Sequence, residues 1–156
     1  MVAPVELEIR NAEDFARLAK RLREAGDAGK GLRKELSKGL NQAAKPAKAA
    51  IKPSVRARLP HRGGLAGTIA STISVRQSNI SAGRNPRVRI VVRGTHNIDA
   101  LDKGHVRHPV FGDRSVWREE SVPPRAFTDP VAQRAPQMRQ EMSEAIRSVA
   151  KKIEGH

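Results

Sequence analysis

The chain opens on alternation: Val5, Leu7 and Ile9 are separated by Glu6, Glu8 and Arg10, the period-two pattern of a half-buried strand. Asn11 then offers a helix N-cap, with Asp14 three residues on and acids in the first turn, which suits the helix dipole. Phe15, Leu18, Ala19 and Leu22 make one apolar face of a helix that should stop near Gly26. A second helix is predicted after Asp27, running through Leu32, Leu36, Leu40, Ala43, Ala44 and Ala47. Pro46 should bend or interrupt it, because proline lacks the amide proton and its ring clashes with the preceding turn. Pro53 and Pro60 are expected to close the helical region.

The segment 61–67, His-Arg-Gly-Gly-Leu-Ala-Gly, reads as a flexible loop. Beyond it Ile69, Ile73 and Val75 stand among Thr, Ser and Arg, the composition of a strand with one polar face. A polar stretch with Asn79, Gly83, Asn85 and Pro86 can turn the chain into a second strand, where Val88, Ile90 and Val92 alternate with Arg87, Arg89, Val91 and Arg93. An antiparallel hairpin with an arginine-rich outer face follows. Residues 95–127 read as irregular, with Ser115 to Val122 as a short third strand. The chain then ends in an amphipathic helix whose apolar positions are Val131, Ala135, Met138, Met142, Ala145, Val149 and Ile153, with Pro130 or Pro136 in its first turn. The pattern predicts an α+β fold in a single domain over residues 1–156. A small antiparallel sheet, the hairpin plus one or two further strands, packs on two N-terminal helices and a long C-terminal helix.

Composition narrows the chemistry. Aromatic residues make up only 3% of the chain, so the core must rest on Val, Ile, Leu and Ala. The absence of cysteine excludes disulfides, thiolate metal sites and cysteine nucleophiles. No apolar run approaches the roughly 20 residues that span a bilayer, and Met1 to Arg10 lacks the regions of a signal peptide. A soluble protein made and used inside a cell is expected, with no membrane partner.

Charge changes the picture most. The net charge is +14, and the stretch 36–98 holds twelve Lys or Arg and no acid, whereas residues 1–35 hold eight against seven and residues 99–156 ten against nine. Such a field attracts polyanions. The candidate basic surface is Lys45, Lys48, Lys52, Arg56, Arg58, Arg62, Arg76, Arg84, Arg87, Arg89 and Arg93, facing DNA or an acidic partner. The basic span carries no aromatic residue on which single-stranded bases could stack, and no nucleic-acid-reading motif, which leaves sequence-independent attraction to phosphates.

Catalytic constellations are thin. Asp102, His105 and His108 have the residue types of a metal site, but Gly104 and Pro109 argue against the helix that would bring the imidazoles together. Glu119 and Glu120 are adjacent, so on a strand they point to opposite faces. Gly63, Gly64 and Gly67 lack the Lys-Ser or Lys-Thr of a phosphate-cradling loop. No cofactor and no catalytic or metal residues are assigned. Phe111, Trp117 and Phe127 either anchor a loop onto the core or dock it on a neighbouring subunit.

The order of these features resembles a known family. Two basic helices are followed by Gly64-Leu65 leading into a hairpin over Thr68 to Ser74. Next come His105 and the run His108-Pro109-Val110-Phe111-Gly112, then Trp117, a proline-rich step to Ala126-Phe127, and the terminal helix. This arrangement resembles the siphophage neck and tail-completion proteins of the head–tail joining module, which are related to tail terminators. Arg125-Ala126-Phe127 stands where that family more usually has Pro-Phe. The resemblance implies a non-enzymatic α/β subunit of a virion ring, expected to be a hexamer, between the head connector and the tail tube or terminator. It would be found in the neck and, during assembly, in the host cytoplasm. His108, Pro109, Phe111, Gly112, Trp117 and Phe127 are its candidate interface residues, and non-specific contact with genomic DNA is compatible with the role. Two alternatives stand beside it: a small basic nucleic-acid-binding protein without sequence preference, and a ribonuclease-type toxin using His105 or His108.

Overall fold

The computed structural model describes residues 5–10, 12–80, 87–110 and 113–154, with side chains described for all of these but 5–10, 12–16, 19, 28, 79, 80, 87 and 110. Strand β1 (Val5–Arg10) leads into helix α1 (Ala12–Glu24), and after the turn at Gly26 (φ 60°) comes the long helix α2 (Ala28–Arg58). A 3-10 turn at Arg62–Gly64 passes into helix α3 (Leu65–Thr72). Strands β2 (Ser74–Ile80) and β3 (Arg87–Arg93) follow, then the short helix α4 (Ile98–Asp102), strands β4 (His105–Val110) and β5 (Asp113–Ser121), and helix α5 (Asp129–Glu154). The α+β architecture is therefore the one the pattern predicts. The proposed cap Asn11, the turn residues Gly83, Asn85 and Pro86, and Arg84, Phe111 and Gly112 lie outside the described residues.

Helices α2 and α5 form the most extensive packing contact of the fold. The inner face of α2 presents Leu36, Leu40, Ala43, Ala44, Ala47, Ile51 and Val55, all buried, and α5 presents Val131, Ala135, Met138, Met142, Ile146 and Val149. The two backbones come close where Gly39 faces Ala145: a Cβ added at Gly39 would stand 2.7 Å from the Ala145 Cβ. Beside this pair lies a three-stranded antiparallel sheet in the order β1-β3-β2, its central strand turning Val88, Ile90 and Val92 into the core. The register sets Leu7 opposite Ile90 and Ile90 opposite Gln77, and the Gln77 amide donates to Asn41 Oδ1 (3.1 Å), tying β2 to α2.

Three expectations are corrected. Pro46 and Pro53 neither interrupt nor close α2, which runs on to Arg58. Both prolines are exposed, so the carbonyls they leave without an amide partner, at the exposed residues Gln42 and Ala49, can be met by water. Pro136 likewise sits inside α5 on its exposed side, while Pro130 takes the first turn. Residues 65–72 are helical rather than loop and strand. Gly63 and Gly64 take φ of 69° and 74° to reverse the chain, and Ala66, Ile69 and Ala70 then bury one face at helical spacing against α2. The hydroxyls of Ser71 and Thr72 bond back to the Thr68 carbonyl, which spares them the alternation a strand would need. Finally, 95–127 is ordered into α4, β4 and β5, with Asn97 capping α4 by accepting from the Ala100 amide (3.1 Å).

The Gly39–Ala145 contact yields a paired test. Gly39→Ala should lower unfolding stability by about 1–2 kcal/mol, because overpacking outweighs the gain in helix propensity. Gly31→Ala, where an added Cβ meets nothing within 4 Å, should raise it by up to about 1 kcal/mol. Urea unfolding of both variants checks this, and equal shifts of the same sign would refute the close-packing account.

Candidate functional site

Two surfaces of different chemistry emerge, and a polar joint positions one of them. At the joint, Asp102 at the end of α4 accepts through Oδ1 from the backbone amides of Phe127 and Thr128 (both 3.0 Å), and through Oδ2 from the Thr128 hydroxyl (3.0 Å). Its own carbonyl accepts from the Arg125 amide (2.7 Å), which holds Arg125 at φ 64°. Asp129, in the first turn of α5, meets Arg58 Nη1 at 2.5 Å and Arg125 Nε at 2.6 Å, while the Ser54 hydroxyl donates to the Ala126 carbonyl (2.7 Å). Asp102 is thus a structural acceptor that ties α4 to the entry of α5. Arg58, counted in the sequence among the outward-facing cations, is held within the chain by Asp129. The Arg58 and Arg125 guanidiniums hold the Asp129 carboxyl below the ordinary carboxylate range.

The hairpin β4–β5 grows from this joint. Gly104, at φ 96°, has no room for a Cβ, which would lie 3.0 Å from the Val122 carbonyl oxygen, and its own carbonyl accepts from the Val122 amide (2.9 Å). Val106 and Val122 are buried and root the hairpin. Beyond them, among the described residues, β5 pairs with β4 alone, and all nine of its residues are exposed. Val116 and Trp117 are 50% and 47% exposed, the large hydrophobic side chains that stand out among the described residues. Asp113 Oδ1 accepts from the Ser115 amide (2.9 Å) and hydroxyl (2.6 Å), which bends the strand where the register shifts between Pro109 and Val110. The Trp117 indole donates to the Arg114 carbonyl (2.8 Å), and the Arg107 guanidinium lies 5.6 Å from the ring centroid.

Of the predicted interface residues, the structure brings His108, Pro109 and Trp117 onto this hairpin. Phe127 is separate: it is fully buried beneath the joint, so it anchors the core and offers nothing to a partner. His105 and His108 lie three residues apart on a strand and face opposite ways, His105 pairing with Glu119 and His108 with Glu120 (both 3.1 Å). A hydrogen bond to the Pro109 carbonyl, and then Glu120, raise the pKa of His108, so its contribution to folding is present below about pH 6.5 and is lost as pH rises through the raised value. Among the described residues no three His, Asp or Glu side chains gather as metal ligands.

The basic residues fall onto separate surfaces. Lys45, Lys48, Lys52 and Arg56 share one face of α2, and Lys34 and Lys38 extend that row. Arg62 sits on the 3-10 turn, and Arg76, Arg89 and Arg93 line the outer face of the sheet. The backbone of Arg87 belongs to β3. Sequence reasoning missed the continuity of the α2 row because it scored charge by span; the signal was spacing by three and four. No helix among the described residues is long and apolar enough to cross a membrane.

The joint predicts two stability effects. Asp102→Ala should cost roughly 2 kcal/mol in urea unfolding by leaving two backbone amides without their acceptor, a loss that replacing a surface aspartate without such bonds would not show. Because the folded pKa of Asp129 is depressed, its stabilisation is complete above about pH 4 and is lost as pH falls through the folded value. Asp129→Asn should therefore lower the thermal midpoint at neutral pH, with the difference from wild type closing in acid; a pH-independent difference would refute the ion-pair origin. Comparison of the chain with protein-family models, with curated proteins and with solved structures finds no match.

Proposed function

We propose that this chain is a structural, non-enzymatic subunit of a tailed-bacteriophage neck, assembling into a ring that completes the head–tail joint around the DNA passage. The observation that carries the reading is the β4–β5 hairpin. A two-stranded hairpin is marginal in water by itself, yet this one projects nine exposed residues in succession with Val116 and Trp117 among them. Large exposed apolar side chains grouped on one element mark a docking site. In a ring each copy presents one surface to a different surface of the next, so an arm of this kind is what the assembly needs. The order of motifs that resembles the neck and tail-completion family points the same way, toward a head connector on one side and a tail tube or terminator on the other.

The ribonuclease alternative gains no support from the hairpin. Its two histidines diverge, and each is engaged by a glutamate on the neighbouring strand.

Val116→Ser combined with Trp117→Ser should abolish ring assembly, followed by light scattering and electron microscopy, while shifting unfolding stability by no more than about 1 kcal/mol. Phe127→Ala, by contrast, should cost about 3–5 kcal/mol by opening the core. Density for the chain in a ring at the neck of purified particles is the expected result; particles that lack the chain would sink the reading.

A further inference from the structure

The lysine row on α2 goes beyond ring assembly. At 3.6 residues per turn, Lys34, Lys38, Lys45, Lys48, Lys52 and Arg56 lie within a sector of about 80° on the helix, flanking its buried face. From Lys34 to Arg56 the row is about 33 Å long at 1.5 Å per residue. Among the described residues none of the six meets a carboxylate; the one acid beside them, Glu35, is taken by Lys152. The row therefore carries unneutralised charge along one continuous helix, with a length close to one turn of B-form DNA, about 34–36 Å.

We propose that this face of α2 docks on the phosphate backbone of duplex DNA without regard to sequence. Residue type decides against an acidic protein as the occupant. Protein interfaces are depleted in lysine and built around aromatic, methionine or arginine anchors, whereas this row is five lysines and one arginine. The exposed large hydrophobics, Val116 and Trp117, are on the hairpin instead. Flexible ammonium groups that need only an anion within reach suit phosphates, where binding is driven by counterion release. Single-stranded nucleic acid is disfavoured because no aromatic platform accompanies the row. Duplex RNA is recognised largely by the shape of its A-form helix and by its 2′-hydroxyls, and the length of the row matches a turn of B-form DNA instead.

The test is fluorescence anisotropy on a random-sequence duplex of roughly two turns, with salt raised from about 50 to 200 mM. The wild-type chain should lose affinity roughly 10³-fold over that range. Replacing Lys38, Lys45, Lys48 and Lys52 by Gln should flatten the slope of log K against log salt by about 3.6, at about 0.9 per phosphate contact. A charge-matched control, Arg23, Arg139, Arg147 and Lys151 replaced by Gln, should leave the slope in place. Equal flattening by both sets would assign the attraction to bulk charge and overturn the proposal. So would binding to polyglutamate in preference to DNA, or tighter binding to duplex RNA. The same titration on the Val116→Ser/Trp117→Ser chain separates the two readings: a steep slope there with rings lost shows that the DNA face acts without assembly, whereas rings that persist in this variant beside a steep slope keep the DNA face and remove only the assembly role of the hairpin.

Discussion

The close approach of α2 and α5 at Gly39 and Ala145 is the constraint from which the rest of the fold takes its position. A chain with 3% aromatics has few large rings with which to fill space between elements, so packing density must come from bringing backbones together. The fully buried Ala44 and Ala47 serve the same end on α2. Once that helix pair is set, β3 lays Val88, Ile90 and Val92 against it, and α3 adds Ile69 and Ala70. Phe127, the largest of the fully buried side chains, closes the region where the chain enters α5.

The joint around Asp102 and Asp129 carries that order outward. Arg58 near the end of α2 and Asp129 at the start of α5 fix the two helices to each other, and Asp102 fixes α4 to the same turn. The hairpin leaves from Gly104, two residues after Asp102, and returns at Val122, so its base is held by the helix pair through one short run of hydrogen bonds. Arg125 accepts a left-handed backbone for this purpose, offset by its amide bond to Asp102 and its ion pair with Asp129. The run Arg125-Ala126-Phe127 is therefore structural: Arg125 turns the chain, and Ala126 and Phe127 are buried.

Periodicity made the long elements legible. Leu18 and Leu22, the α2 face from Leu36 to Ala47, the α5 face from Val131 to Val149, and the alternating Val88, Ile90 and Val92 all follow from spacing alone. What misled was punctuation. Prolines 46 and 53 stop a helix only where the lost hydrogen bond cannot be replaced, and exposure decides that, which no local pattern states. Ile69 and Ile73 fit a strand or a helix equally well until Gly63 and Gly64 are known to turn the chain with positive φ. The role of Asp102 could not be read because its partners are backbone amides some 25 residues away, and amides leave no trace in a sequence. At the surfaces, Trp117 was recognisable as unusual, but Phe127 looked identical in kind until burial separated them. The lysine row was hidden by counting charges instead of placing them on a helix.

The distribution of charge reconciles the two surfaces in one molecule. Copies of a chain with net charge +14 repel one another, and the proposed ring would bring several together. The hairpin from His105 to Ser121 escapes this: Arg107, Arg114 and Arg118 are balanced there by Asp113, Glu119 and Glu120, and its histidines lie against the glutamates. A contact made through Val116 and Trp117 thus desolvates a locally neutral surface, while the unneutralised lysines of α2 are kept on a different element. Salt acts on the two in opposite senses. Screening over about 8 Å at physiological ionic strength weakens repulsion between copies and favours apolar docking, while the same ions compete with lysine for phosphate. On the proposed reading, a subunit that holds its neighbours through apolar contact on the hairpin and DNA through counterion release on α2 would therefore remain assembled under conditions in which the DNA is free to move.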